Sequence, residues 1–135
     1  MKLLLDTHAI IWALTGDPRL PESAVKAILS PENIVFFSAA SLWEIAVKNQ
    51  KKPDICPYRE DEIFRLCIAS GYEPLDIRPG HVIAVRDLRT REGRTPGNYD
   101  PFDRLLIAQA KTENCILLSH DSNFANYDEK CIRLI

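Results

Sequence analysis

At 135 residues, with 46% hydrophobic and 27% charged side chains, the chain is sized for one domain, 1–135, with a core of ordinary extent. A formal net charge of −2 and a pI near 5.9 argue against a protein that binds nucleic acid through overall basicity, although local basic clusters can hide inside such a sum. Apolar runs last only a few residues and the opening Lys2-Leu3-Leu4-Leu5 meets a charge at Asp6, so neither a membrane span nor a signal peptide is expected and the chain reads as cytoplasmic.

Lys2–Leu5 is a short apolar run, and Ala9, Ile10, Trp12, Ala13 and Leu14 follow at helical spacing, which predicts a buried strand entering a helix. Pro21 suits a helix start, and Ala24, Val25, Ile28 and Leu29 give a helix over about 22–30 one apolar face. Ile34-Val35-Phe36-Phe37 is rich in β-formers, with Ser38 placed to cap a helix carrying Trp43, Ile45, Ala46 and Val47. Trp43 and Val47 lie off the stripe of Glu44 and are expected to face the sheet, while Trp12, Phe36, Phe37 and Phe64 fit core positions.

Residues 59–69 read as an amphipathic helix stopped by Gly71, 73–77 as a short strand, and 79–88 as helical. The polar segment 89–99, with Gly93, Pro96 and Gly97, reads as a loop. A helix over 101–112, a buried strand over 115–118 and a last strand over 131–134 complete the pattern. Strands alternating with helices of this length predict a three-layer α/β/α fold around a parallel sheet of about five strands. Cys56, Cys67, Cys115 and Cys131 lack C-x-x-C spacing and paired histidines, which favours thiols among apolar neighbours over a zinc site.

Four carboxylates stand out by position: Asp6 and Asp121 just past two strand ends, Glu44 on the helix after the second strand, and Asp103 near the start of a late helix. Each has a plainer explanation. Asp6 can cap the helix that follows it and Asp121 can make an Asx turn. Glu44 can pair with Lys48 one turn on. Asp100-Pro101-Phe102-Asp103 is a well-formed helix start, with Asp100 as cap and Pro101 in the first turn. Capping does not explain why all four fall where a parallel sheet can bring them to one edge, the edge at which such sheets bind ligands.

The settings KLLLDTHAIIW, FFSAASLWEIAVK, DPFDRLLIAQA and ILLSHDSNF, in this order, resemble the PIN-domain ribonucleases, and in particular the VapC-type toxins of type II toxin–antitoxin systems. The resemblance spans nearly the whole chain and implies a single PIN domain. By that resemblance Asp6, Glu44, Asp103 and Asp121 form an acidic catalytic pocket, with Asp6 and Asp103 holding metal and Glu44 and Asp121 as further candidates. Thr7 matches a Ser or Thr often found beside the first Asp, and Asp100 belongs to the DPFDR form of the third motif.

Clustered carboxylates repel one another unless a cation joins them, and hard oxygen donors select Mg²⁺ or Mn²⁺. Such an ion can activate water for attack on a phosphodiester, so no side-chain nucleophile is needed. His8, His81 and His120 form no evident triad. RNA phosphates need positive partners, for which Arg86, Arg89, Arg91, Arg94 and Arg104 are the densest candidates and Lys48, Lys51 and Lys52 a smaller group. The implied partners are an RNA substrate, a cognate antitoxin and a second copy of the chain in a homodimer, with no membrane.

A non-catalytic PIN-like domain that binds RNA or protein is the competing reading. A haloacid-type phosphatase fits poorly because it wants a second Asp two residues after Asp6, where His8 stands. A phospho-receiver wants an acceptor Asp where the second strand ends in Ser38.

Overall fold

The computed structural model describes residues 1–91 and 100–135. Five strands form one sheet in the order β3-β2-β1-β4-β5: β1 is Lys2–Leu5, β2 Ile34–Ser38, β3 Glu73–Leu75, β4 Ile116–Ser119 and β5 Ile132–Leu134. Every neighbouring pair is parallel. The helices are α1 (Thr7–Thr15), α2 (Glu22–Leu29), α3 (Ala39–Lys51), α4 (Glu60–Ala69), α5 (Pro79–Ala84) and α6 (Pro101–Glu113). Short 3₁₀ turns follow at Val85–Asp87 and Ser122–Asn126, the second of which the sequence pattern did not predict.

The sheet is covered on both faces because its central strand is apolar on both. Leu3 and Leu5 pack with residues of α1, α2, α3 and α4, including Ile10, Ile28, Ile45 and Ile63. Leu4, on the opposite pleat, packs with Leu106, Ile107 and Ala110 of α6 and with Leu117 and Phe124. Fully burying one such side chain stabilises the fold by roughly 1.5–3 kcal/mol, so the three consecutive leucines of β1 anchor both layers. This is the expected three-layer α/β/α arrangement. Cys67 and Cys115 are buried, Cys56 and Cys131 partly so, and all four are free thiols.

Register decides where the site lies. Leu5 stands level with Phe37 of β2 and Leu118 of β4, so the chain leaves β1, β2 and β4 at one edge of the sheet. Strand order turns at β1, with β2 and β3 on one side and β4 and β5 on the other, which makes this edge a topological switch point.

Three side chains depart from the sequence expectation. Trp43 does not face the sheet: it is 58% exposed, because α3 buries the stripe of Ala40, Ser41, Glu44 and Ile45 and the neighbouring position points away. Phe64 is 41% exposed, with an edge contact to Phe37, and Leu29 is exposed at the end of α2. The stretch 89–91 is also tied down. Thr90 bridges Tyr127, the Arg91 amide donates to the Asn126 carbonyl and the Asp128 amide donates to the Arg89 carbonyl. Residues 92–99 of the expected loop lie outside the described residues.

Candidate active site

Asp6 follows β1 directly and caps α1, its Oδ1 accepting from the Ala9 amide at 2.8 Å. Its other oxygen, Oδ2, accepts from the Ser119 hydroxyl at 2.5 Å, and Ser119 Oγ in turn accepts from the Asp121 amide at 3.1 Å. The end of β4 thus holds the Asp6 carboxylate in place from the neighbouring strand. Asp121 caps the 3₁₀ turn after it, accepting from the Asn123 amide at 2.9 Å. Asp100 caps α6 through Phe102 and Asp103 amides at 2.8 and 3.2 Å.

Glu44 sits on the second turn of α3, buried, with both carboxylate oxygens met. Thr7 Oγ1 donates to Oε1 at 2.6 Å and Lys48 Nζ donates to Oε2 at 2.6 Å. A threonine hydroxyl has one proton, so the 3.0 Å contact between Thr7 Oγ1 and Ser41 Oγ is filled by the Ser41 hydroxyl donating to Thr7. The Glu44–Lys48 pair predicted as a helix surface pair does form, but its acid is interior rather than on the surface.

The plain structural jobs and the shared site therefore coexist. Asp6, Thr7, His8, Glu44, Lys48, Asp100, Asp103, Asp121 and Asn123 line one cavity of about 90 Å³ at the sheet edge. Asp103, on the first turn of α6, carries the electrostatic consequence: burial, then the charges of Asp100, Asp121, Glu44 and Asp6, push its pKa up to about 8. Asp6 is also raised, by burial that outweighs its hydrogen bonds to Ser119 and Ala9. Burial works against the ammonium of Lys48, but the hydrogen bond and charge of Glu44, with Asp100 and Asp103 beyond, hold its pKa above the usual lysine value.

Among the described residues no three acidic, histidine or cysteine side chains converge closely enough to grip an ion as they stand. The cavity lining and the raised Asp103 pKa show that the acids share a space; the hydrogen bonds of Asp6 to Ser119 and of Glu44 to Thr7 and Lys48 show why they do not close on one point. The donor set suits a hard divalent ion. Its acids offer only oxygen, and together they hold more negative charge than Lys48 answers.

The arginines among the described residues do not line this cavity. Arg89 sits beside Glu129, its amide donating to Glu129 Oε2 at 3.1 Å, and Arg91 Nε donates to the Ala125 carbonyl at 2.7 Å. Arg104 reaches the Val85 carbonyl at 3.2 Å, Arg86 is exposed on the 3₁₀ turn after α5, and Arg94 lies outside the described residues. The lysine lining the cavity is Lys48, which sequence reasoning assigned only to a helix pair or a minor basic cluster. Ser119 and Ser41 were also missed as positioning groups; the one signal was that each stands beside an acid in sequence or along a helix stripe. His8 lines the cavity while stacking on Trp12 at 5.7 Å, and His120 packs edge-on to the same indole, its Nδ1 donating to the Ile135 carbonyl at 2.6 Å.

A larger groove of about 630 Å³ adjoins the cavity and shares Thr7, His8 and Lys48 with it. Its floor includes Ile11, Trp12, Ile45 and Tyr58, and its rim carries Arg19, Lys51 and Lys52. Between α3 and α6, Trp43 and Phe102 meet edge to face at 4.9 Å, each next in sequence to a cavity acid.

With this geometry described, the family follows: the PIN domain model matches residues 3–130, and the chain belongs to the PIN domain family. Its fold is similar to VapBC2 from Rickettsia felis bound to a DNA fragment from its promoter, at TM-score 0.70 and 19% identity over 99% of this chain and 98% of the other. It is also similar to a toxin-antitoxin complex from Klebsiella pneumoniae, at 0.61 and 17% over 97% and 95%. VapC20 of Mycobacterium tuberculosis, a sarcin-ricin loop cleaving toxin, matches at 0.56 and 15% over 91% and 92%. No curated protein matches the sequence.

Proposed function

We propose that the chain is a metal-dependent endoribonuclease of the VapC type, the toxin component of a toxin–antitoxin pair. One observation carries the reading: acids from α1's cap, α3, α6 and the end of β4 share one small cavity in which burial and the neighbouring carboxylates disfavour the charge of Asp103. The structural relatives support the toxin–antitoxin setting through what they are, a toxin-antitoxin complex in one case and a sarcin-ricin loop cleaving toxin in another. Asp6 and Asp103 would hold Mg²⁺ or Mn²⁺, with Asp121 and Glu44 beside them. When bound, the ion supplies a water of lowered pKa and a positive charge facing the scissile phosphate.

The chain's own residues do the rest. Ser119 and the Ala9 amide fix the Asp6 carboxylate, Thr7 and Ser41 fix Glu44, and the Asp100 cap fixes the first turn of α6 that carries Asp103. Lys48 is the near positive group for an RNA backbone, and Lys51 and Lys52 continue it along the groove. Arg86 and the 89–91 segment are a more distant backbone contact. The apolar floor and basic rim of the groove suit a segment of the cognate antitoxin, whose own Arg or Lys would face the carboxylates in competition with metal. A homodimer and a cytoplasmic location complete the proposal.

The test incubates purified, antitoxin-free protein with total cellular RNA and Mn²⁺, alongside Asp6→Ala and a chelator control. Cleavage is expected in the wild type alone. Cleavage surviving in both controls sinks the mechanism, and none under any condition favours a binding domain, which would keep the same capping contacts. Hydrogen exchange of the complex with the neighbouring gene's product should protect α1 and α3 around the groove; protection confined to the opposite face would rule out occlusion of the site.

A further inference from the structure

Whether the cavity takes one divalent ion or two turns on where its charge is already balanced, and that balance is uneven. Glu44 has a donor on each oxygen, the Thr7 hydroxyl at 2.6 Å and the Lys48 ammonium at 2.6 Å. Lys48 reaches it along a single helix face, one turn on, so the contact needs no long-range rearrangement to form. Asp6 likewise has a donor on each oxygen, but from an amide and a hydroxyl, which bring no full charge. Among the described residues, Asp100 and Asp121 accept from backbone amides. The cavity is thus divided. Its α3 side holds a carboxylate in direct contact with a cation. Its α6 and β4 side holds Asp103, Asp100, Asp121 and Asp6, to which no ammonium or guanidinium hydrogen-bonds among the described residues, the Lys48 charge reaching Asp100 and Asp103 only at longer range.

We propose that the Lys48 ammonium occupies the place a second divalent ion would take, so that this pocket accepts one ion, on the Asp6–Asp103–Asp121 side, and Glu44 serves to hold Lys48 rather than the metal. The inference rests on the metal reading above. Two-metal sites set their ions about 3.5–4 Å apart, with carboxylates shared between them. Here the carboxylate that would face the second ion is occupied, both of its oxygens being taken by the Thr7 hydroxyl and the Lys48 ammonium. The ammonium also brings three donors, of which Glu44 uses one at Oε2, leaving others for a phosphate oxygen arriving beside the ion. Lys48 thereby becomes a positioning residue for both Glu44 and the substrate.

The test uses the full chain, stripped of metal and titrated with Mn²⁺ alone. Stoichiometry is read by calorimetry and the spin state by electron paramagnetic resonance, since two Mn²⁺ ions at bridging distance couple magnetically and one does not. Wild type is expected to bind one ion with an uncoupled signal. Lys48→Met should bind two, with a coupled signal, and Lys48→Arg, which keeps a cation there, should stay at one. The Lys48 side chain is 52% exposed, so these substitutions retain the fold, and Lys48→Gln provides a second uncharged variant. Two ions in the wild type, or one in both uncharged variants, overturns the proposal while leaving the metal reading intact. No ion in any of them overturns both.

Discussion

On the α3 side of the cavity a buried glutamate is answered by a hydroxyl and an ammonium in direct contact; on the α6 side a half-buried aspartate faces burial and four neighbouring acids, and the Lys48 charge acts on it without a hydrogen bond among the described residues. The two acids sit near the starts of helices at one edge of the same sheet, yet one is electrostatically finished and the other is not. Fold and burial alone do not create that difference, since both acids are shielded from water. The difference comes from a single lysine one helical turn from Glu44, with no counterpart one turn from Asp103, where Ile107 is buried in the core. A finished side is stable as it stands, and an unfinished one asks for a ligand.

The largest effect should come from removing the acid that follows the central strand. Asp6→Ala is expected to cut RNA cleavage by about a hundred- to a thousandfold, the scale on which loss of a group facing transition-state charge is felt. Circular dichroism should show the fold retained. Next in size is the response to metal. Mn²⁺ at a hundred times its Kd should stabilise the wild type by about 2.7 kcal/mol, and Asp6→Asn combined with Asp103→Asn should lose most of it. Equal melting shifts in both proteins would mean the unfinished side is not where the ion goes.

A pH series sharpens the contrast without any metal. Asp103 has a folded-state pKa pushed up to about 8 against an ordinary value of 3.8, so the folded chain holds this proton more tightly than the unfolded one. Its contribution to stability is fully present below about 4 and is lost as pH rises through about 8, with Asp6 acting in the same sense. Metal-free protein should therefore melt lower at pH 8 than at pH 5, and Asp103→Asn should flatten that slope. A wild-type slope of the opposite sign, not shared by the variant, would show that Asp103 is already compensated. The smallest effect is expected from Ser119→Ala, which removes the hydroxyl between Asp6 and the Asp121 amide. About 1 kcal/mol of stability should go, as for an ordinary buried hydrogen bond, with a larger loss in cleavage than in melting temperature.

Much of this architecture was legible from the chain. Leu3-Leu4-Leu5 and Ile116-Leu117-Leu118 read as buried strands because parallel strands covered on both faces must be apolar throughout, and Ser38, Asp100 and Pro101 mark their helix starts by chemistry that works locally. Trp43 did not read correctly because SLWEIAV is apolar on several sides of its helix, and periodicity cannot say which side meets the sheet when the buried stripe itself contains Ser41 and Glu44. The capping roles of Asp6, Asp100 and Asp121 were each visible in isolation, whereas their meeting in one cavity was implied only by family resemblance. Lys48 was seen and undervalued, since a Glu–Lys pair one turn apart is usually a solvated pair. Arg89 and Arg91 looked like free cations because their partners, Glu129 and Ala125, lie more than thirty residues away, and such contacts leave no local trace.

The hydrogen bond from Ser119 to Asp6 joins residues 113 positions apart. A ribosome therefore makes the first acid early and its anchor late, with β1 waiting at the centre of a sheet whose β4 side stays bare until residues 116–119 emerge. At roughly 5–20 residues per second that interval lasts on the order of ten seconds, during which the nascent chain has three leucines of its central strand only half covered. Interrupted synthesis yields fragments holding Asp6 and Glu44 but neither Ser119 nor Asp121, so a ribosome that stops early releases no assembled cavity into the cell that made it.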